Sequence, residues 1–141
     1  NVIMEEGIFR GLFQKLFEQK YNFLLSAILS SLLFGFWHVV APLRSYYDGT
    51  ISFEEMFINI IILVVTSTFV GFKFSMMTKL TGNLYMSMGD HFVNNTIINV
   101  LHIVSKDGSI DKLLVMRISI AQTLSFLIVL IYFILSKNEC S

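Results

Sequence analysis

Long apolar runs, separated by short polar connections, dominate this chain. Each of four runs is near the ~20 residues that an α-helix needs to cross the hydrocarbon core of a bilayer. The runs predict membrane-spanning helices over about 22–41, 57–80, 84–104 and 114–135. Turn-forming residues occupy the connections, at Asp48-Gly49, Thr81-Gly82-Asn83 and Lys106-Asp107-Gly108. The pattern predicts an all-α fold, a polytopic transmembrane helix bundle that forms a single domain over residues 1–141.

A fifth helix is predicted ahead of the first run, over about residues 2–20. Its apolar side chains recur at helical spacing, at Ile8, Phe9, Leu12, Phe13, Leu16 and Phe17. Polar side chains fill much of the remaining surface. Two interpretations stay open: the end of a membrane helix, or an amphipathic helix that lies in the membrane interface.

Composition supports the membrane interpretation. The chain has 141 residues, of which 55% are hydrophobic and 14% are charged, whereas soluble domains carry about 25% charged residues. The formal net charge is zero, so no basic surface indicates a nucleic-acid partner. The lone cysteine, Cys140, has no second cysteine with which to form an internal disulfide.

Basic residues beside the runs encode the membrane orientation only weakly. Six lie on the side of the first turn and the C-terminus: Arg10, Lys15, Lys20, Lys73, Lys79 and Lys137. Four lie on the opposite side: Arg44, Lys106, Lys112 and Arg117. The positive-inside rule favours the larger set as cytoplasmic.

Polar residues distinguish the runs from one another. The second and fourth runs are nearly free of charge and predict ordinary spanning helices. The first and third carry His38, Asp90 and His91. Because ionisable groups in a bilayer are costly, these two helices are expected to face a protein interior.

An acidic pair opens the chain beside an arginine. Glu6 and Arg10 are four residues apart, and as a helix-surface ion pair they would stabilise the helix by only about 0.2–0.5 kcal/mol. Glu5 points about 100° away around the helix, so it cannot share Arg10 equally well. This geometry predicts that Glu6 and Arg10 anchor the helix while Glu5 faces a cavity.

A histidine ends the first run, one helical turn after Phe34. Considered alone, His38 is most simply a residue that is hydrogen-bonded inside a bundle or lies beside an aromatic belt. Gly35 is small enough to let another helix approach His38 closely.

The third run carries the longest polar stripe. His91, Asn95, Asn99 and His102 follow one another at intervals of four, four and three residues. Asp90 and Asn94 widen this stripe. Such groups need partners or water inside a membrane, and ordinary inter-helix hydrogen bonds, worth about 0.6 kcal/mol each, are the simple alternative to a functional site.

Several familiar active sites are absent from the sequence. It contains no HExxH zinc-protease helix, no phosphate-binding glycine loop and no GxSxG nucleophile elbow. A carboxylate, two histidines and an asparagine remain on three helices. A carboxylate can act as general base on water, a histidine can assist that water or bind a metal, and an asparagine can donate to an oxyanion. The set suits amide hydrolysis by activated water.

Three sequence patterns occur in a recognisable order: EExxxR at Glu5, Glu6 and Arg10, FxxxH at Phe34 and His38, and HxxxN at His91 and Asn95. Together they resemble the CAAX-protease and bacteriocin-processing family of intramembrane proteases, also called the CPBP or Abi family. Phe9-Arg10-Gly11 and Thr81-Gly82-Asn83 agree with this resemblance, which covers roughly residues 5–95.

The resemblance implies roles for individual residues. Glu5 would be the general base, helped by His38, while His91 and Asn95 would stabilise the oxyanion. Glu6 and Arg10 would hold the first helix in place. Glu5, His38 and His91 could also bind a Zn²⁺ ion, although a glutamate-activated water works without one.

The resemblance also implies partners and a location. Substrates would be prenylated CAAX-type C-termini, bacteriocin-like peptides or membrane proteins, cleaved within the lipid bilayer of a bacterial plasma membrane. The family has further helices before EExxxR, so we expect additional helices upstream of Asn1. Two alternatives stay open: a non-catalytic protein of bacteriocin self-immunity or scaffolding, and a small ion or proton carrier.

Helix geometry places one demand on this active site. At ~1.5 Å per residue, His38 lies roughly 25 Å from the Glu18 end of its helix, and His91 lies roughly 12 Å from the same side. Convergence of the two histidines therefore requires tilted helices, or a first run whose early turns lie in the interface.

Overall fold

The computed structural model describes residues 1–100 and 114–139, and every regular element in this part of the chain is helical. Helix α1 is continuous over residues 2–18 and contains a π-helical segment, Gly7–Phe13, between α-helical Val2–Glu6 and Gln14–Glu18. The remaining helices are α2 (Phe23–Trp37), α3 (Val40–Tyr47), α4 (Phe53–Thr81), α5 (Tyr85–Val100) and α6 (Leu114–Glu139). The prediction of an all-α fold is confirmed.

Three segments are long and apolar enough to cross a membrane: Phe23–Tyr47, Phe53–Thr81 and Ile118–Ser136. They correspond to the first, second and fourth predicted spans, so the chain is an integral membrane protein. The third predicted span begins as α5, and its last residues, 101–104, lie outside the described residues.

Helix α2 ends four residues before the predicted boundary. A proline ring clashes with the carbonyl group four residues earlier and cannot donate a hydrogen bond to it. For Pro42 that carbonyl belongs to His38, and the helix accordingly stops at Trp37 before restarting as α3 at Val40. The break therefore lies at His38, one turn upstream of the proline.

Helix α1 buries its polar face. Glu6, Arg10 and Gln14, spaced four apart, are at most 1% exposed, whereas Leu12 and Leu16 are about half exposed. Apolar side chains outside and polar ones inside are typical of a helix that faces lipid, and this supports the membrane-helix interpretation. An interfacial helix would instead present its charged face to water.

Helix α4 is the centre of the bundle and contacts each of the other five helices. Its start at Phe53 is earlier than predicted because Ser52 and Glu55 form a reciprocal capping box. It ends at Thr81, and the next residue, Gly82, has a φ of 69°, the left-handed conformation that glycine adopts without strain. The predicted turn at Thr81-Gly82-Asn83 is thereby confirmed.

Helices α2 and α4 approach each other closely at Gly35, as its small size predicts. A Cβ atom added there would lie 2.7 Å from the carbonyl oxygen of Val64 and closer still to Thr68 Oγ1. Because a backbone atom cannot yield like a flexible side chain, Gly35→Ala is expected to lower the free energy of unfolding by about 1–3 kcal/mol. Unfolding in detergent, followed by circular dichroism, measures this loss.

The matched control for Gly35 is Gly89→Ala in α5, where an added Cβ meets nothing within 4 Å. This variant is expected to unfold at the same denaturant concentration as the wild type or at a higher one, since alanine favours the helix over glycine. Equal stability of the two alanine variants would contradict the close α2–α4 approach.

Candidate active site

A buried polar cluster joins α1 and α5. His91 Nδ1 lies 2.9 Å from Glu6 Oε1, and His91 Nε2 lies 3.4 Å from Glu5 Oε2. Arg10 donates to the same Oε1 atom of Glu6 at 3.2 Å. All four side chains are buried, with Glu6 and Arg10 fully so. The EExxxR residues of α1 and His91 of α5 therefore meet in one buried cluster.

Arg10 occupies a space that two aromatic rings and a glycine create. Its guanidinium carbon lies 4.3 Å from the ring centre of Phe34 and 5.3 Å from that of Phe74, distances at which a cation is attracted to an aromatic ring. A Cβ atom on Gly71 would lie 2.6 Å from Arg10 Nη2. Gly71 thus leaves room for the guanidinium beside Glu6.

The imidazole of His91 is held by the same two phenylalanines. It stacks on Phe74, with ring centres 5.0 Å apart and planes inclined by 25°. It also meets Phe34 at 90°, with centres 5.8 Å apart. Aromatic contacts of this kind orient a ring as well as bury it, so His91 keeps both nitrogens directed at the two glutamates.

The contacts of His91 follow from its donors and acceptors. An ionised carboxylate only accepts hydrogen bonds, and a neutral imidazole has one N–H donor and one bare nitrogen. His91 faces a carboxylate oxygen with each nitrogen, Glu6 at 2.9 Å and Glu5 at 3.4 Å. A neutral imidazole can donate to only one of these two carboxylates, and an imidazolium to both.

His38 lies at the helix break with its tautomer determined by the backbone. Its Nδ1 atom is 2.8 Å from the carbonyl oxygen of Phe34. A carbonyl only accepts, so neutral His38 donates from Nδ1 and keeps a lone pair on Nε2. The Phe34 ring also packs edge-on against His38, with centres 4.8 Å apart. Phe34 therefore contacts both imidazoles, and no direct bond between the two histidines is observed among the described residues.

A cavity of about 800 Å³ lies beside the polar cluster. His38, His91 and Asn95 line it together, although they come from α2 and α5. Glu5, which helix geometry predicts to face a cavity, is not one of the lining residues; it contacts His91, which is. Much of the remaining wall is apolar and comes from α4 and α6: Ile62, Leu63, Phe69, Val70, Ile118, Phe126 and Leu127.

The polar stripe of α5 divides into two faces with different partners. His91 points to α1, whereas Asp90 forms an ion pair with Lys73 of α4. Asn94 accepts a hydrogen bond from Gln122 of α6. The side chain of Asn99 and all of His102 lie outside the described residues.

Glu5, His38 and His91 do not form a three-ligand metal site in the described part of the chain. His91 Nε2 and Glu5 Oε2, 3.4 Å apart, have the separation expected of two ligands that share one tetrahedral zinc ion at about 2.0–2.1 Å each. His91 Nδ1 instead contacts Glu6, and the ring of Phe34 lies against both His38 and His91. Binding of zinc by Glu5, His38 and His91 stays a prediction of the resemblance.

The second and fourth runs contribute more to this region than their apolar sequences predict. Lys73, only 1% exposed, comes from α4, and its partners Gln122 and Ser125 come from α6. The sequence signal for this is a lysine within an apolar run.

The burial of Lys73 and Arg10 also affects the predicted membrane orientation. Both belong to the larger set of basic residues beside the runs, but both are buried, and without them four basic residues remain on each side of the membrane. The orientation bias therefore disappears.

Comparison with protein families gives one informative match. Residues 1–97 match the model of the Rce1-like type II CAAX prenyl endopeptidases. No curated protein and no solved structure gives a significant match. The matched segment contains Glu5, Glu6, Arg10, His38, His91 and Asn95, and it covers more than half of the 141 residues. The chain therefore belongs to the Rce1-like type II CAAX prenyl endopeptidase family.

Proposed function

We propose that this protein is an intramembrane endopeptidase that hydrolyses a peptide bond with water activated by Glu5 and its histidine neighbours. The observation that carries the proposal is the buried cluster of Glu5, Glu6, Arg10 and His91 beside a cavity that His38 and Asn95 also line. Charged groups are costly in such surroundings unless they are paired or functional. Family membership supports the same chemistry.

The proposed reaction begins with proton transfer. Glu5, whose side chain is 11% exposed, accepts a proton from a water molecule that reaches it beside His91. The hydroxide oxygen then bonds to the peptide carbonyl carbon, a step that a positioned base accelerates. The 3.4 Å contact between His91 Nε2 and Glu5 is long for a hydrogen bond, so His91 can redirect its N–H to the new oxyanion. Asn95 is the second proposed donor to that oxyanion.

The tetrahedral intermediate then collapses. The carbon–nitrogen bond breaks, and the proton first taken from water passes to the leaving amine. His38 Nε2, whose lone pair is free of the Phe34 carbonyl contact, accepts a hydrogen bond from the attacking water and orients it. Glu6 stays bound to Arg10 throughout and keeps α1 against α5.

The cavity suits a substrate with an apolar part. Its volume of about 800 Å³ lies within the range of small-molecule binding sites, which are mostly apolar with a few placed polar groups. We propose prenylated CAAX-type C-termini as the first substrate class to test. Bacteriocin-like peptides and membrane proteins are further candidates, and the proposed location is a bacterial plasma membrane.

The test is a cleavage assay on the full-length protein reconstituted in liposomes. A farnesylated peptide, a bacteriocin-like peptide and a transmembrane peptide are offered separately, and the products are identified by mass spectrometry. Cleavage of at least one is expected. Proton flux with no cleavage would identify an ion carrier, and self-immunity conferred without cleavage would identify a non-catalytic protein.

Removal of divalent metals is expected to leave turnover within twofold of its initial value. No group of three potential metal ligands converges among the described residues, and the proposed base acts on water directly. The measurement is turnover after dialysis against 1,10-phenanthroline, with zinc content determined by mass spectrometry. A known zinc protease treated in parallel is the control. Loss of turnover that added Zn²⁺ restores would contradict the metal-free reaction.

A further inference from the structure

A second buried polar group lies next to the proposed active site and connects three helices. Lys73 of α4 is 1% exposed and forms an ion pair with Asp90 of α5. Its ammonium group also donates to Gln122 Oε1 and Ser125 Oγ of α6, each at 3.1 Å. A lysine in this position is costly unless it is fully paired.

Lys73 is held by three side chains. Its ammonium group donates to Gln122 and Ser125 and forms an ion pair with Asp90. Lys73 also contributes to the cavity wall. These contacts connect α4 to α5 and α6, and they are called the clamp below.

The clamp acts at the position next to His91. Lys73 of α4 pairs with Asp90 of α5. The next residue of α4, Phe74, stacks on the next residue of α5, His91. Two contacts at consecutive positions determine both the height of α5 along α4 and its rotation about its own axis. A rotation of α5 would direct His91 away from Glu5 and Glu6.

Helix α6 completes this arrangement through Gln122. Its carbonyl oxygen accepts from Lys73, and its amide nitrogen donates to Asn94 Oδ1. Asn94 immediately precedes Asn95, the proposed oxyanion donor. Gln122 lies beyond residues 1–97, which match the family model, so this contact comes from a helix that the match does not include.

We infer that Lys73 and Gln122 are positioning residues that orient His91 and Asn95 for catalysis, so that α6 is required for turnover. The inference rests on the proposed endopeptidase function. Neither residue is given a role in bond making or breaking. Their contribution is the placement of α5, and a small displacement of catalytic groups can lower the rate by up to about 100-fold.

Two variants of the full-length protein in liposomes test the inference. Gln122→Met keeps the length of the side chain and removes both hydrogen bonds. Lys73→Met combined with Asp90→Asn removes both charges, so neither is left buried and unpaired. In each variant kcat is expected to fall about 10- to 100-fold. Lys73 and Gln122 also line the cavity, but its other apolar side chains stay, so KM is expected to change less than kcat. A loss of stability alone would lower the active fraction, so kcat is normalised to folded protein by active-site titration.

The controls distinguish a failure of the positioning role from a failure of the proposed endopeptidase function. Gln19→Met makes the same chemical change at an exposed turn residue and is expected to leave kcat unchanged. Gln122→Glu, which keeps the acceptor for Lys73, is expected to recover part of the kcat that Gln122→Met loses.

If both test variants keep wild-type kcat while Glu5→Gln abolishes it, the positioning role is wrong and the endopeptidase proposal stands. If Glu5→Gln also keeps full kcat, the proposed function itself fails. If neither test variant folds, the contacts are structural and the inference is rejected.

Discussion

Replacing Glu5 with glutamine is expected to lower kcat by about 100- to 10,000-fold, the usual contribution of a general base. The substitution keeps the shape of the side chain and removes its ability to accept a proton from water. KM is expected to stay near its wild-type value, because the cavity wall contains no atom of Glu5. Single-turnover cleavage of a farnesylated peptide by the reconstituted full-length protein measures the change.

Glu54→Gln is the matched control for this substitution. Glu54 is an exposed carboxylate in the first turn of α4, so its replacement is expected to leave both kcat and KM unaltered. Wild-type kcat in the Glu5→Gln protein, measured on the same folded fraction, would exclude Glu5 as the base. A rise in KM with kcat unchanged would show that Glu5 binds substrate instead.

Replacing Arg10 with methionine is expected to destabilise the protein by about 3–5 kcal/mol. Arg10 and Glu6 are both fully buried, at 3.2 Å from each other. Removal of the arginine leaves the Glu6 carboxylate in apolar surroundings, in contact with His91. The cation–π contact of Arg10 with Phe34 is lost as well. Denaturant unfolding in detergent gives the change in the free energy of unfolding.

Two further variants define this effect. Arg44→Met removes another arginine from an ion pair of the same four-residue spacing, but Arg44 and Asp48 are exposed, and exposed pairs contribute little to stability. No measurable change is expected. The double variant Arg10→Met and Glu6→Gln is expected to be more stable than Arg10→Met alone, because it leaves no unpaired buried charge. Equal destabilisation by Arg10→Met and Arg44→Met would contradict the buried pair.

Much of the architecture is determined by local properties of the sequence. Runs of apolar residues long enough to cross a bilayer predict the membrane helices, because only a helix satisfies its own backbone hydrogen bonds in lipid. The ion pair of Glu6 with Arg10 follows from helical spacing alone. The helix break at His38 could also have been placed from the sequence, since a proline acts on the carbonyl four residues earlier.

Other features could not be predicted because they depend on which faces meet. The apolar spacing of α1 leaves open whether it is a membrane helix or an interfacial one, and the structure buries its polar side chains Glu6, Arg10 and Gln14. In water an apolar face is driven inside, whereas in a lipid environment that preference is absent and polar groups seek one another. Periodicity identifies the two faces of such a helix without deciding which one points inward.

The sequence by itself determined that this protein is a helical membrane protein. It also placed the candidate site residues in the patterns EExxxR, FxxxH and HxxxN: Glu5, Glu6, Arg10, His38, His91 and Asn95. Only the tertiary structure decided that His91 meets both glutamates, that Phe34 lies between the two histidines, and that Lys73 and Gln122 join α4, α5 and α6. The physical reason is the range of the interactions. Span length and ion pairing four residues apart are local, whereas contacts such as the 85-residue separation between Glu6 and His91 arise only when helices pack.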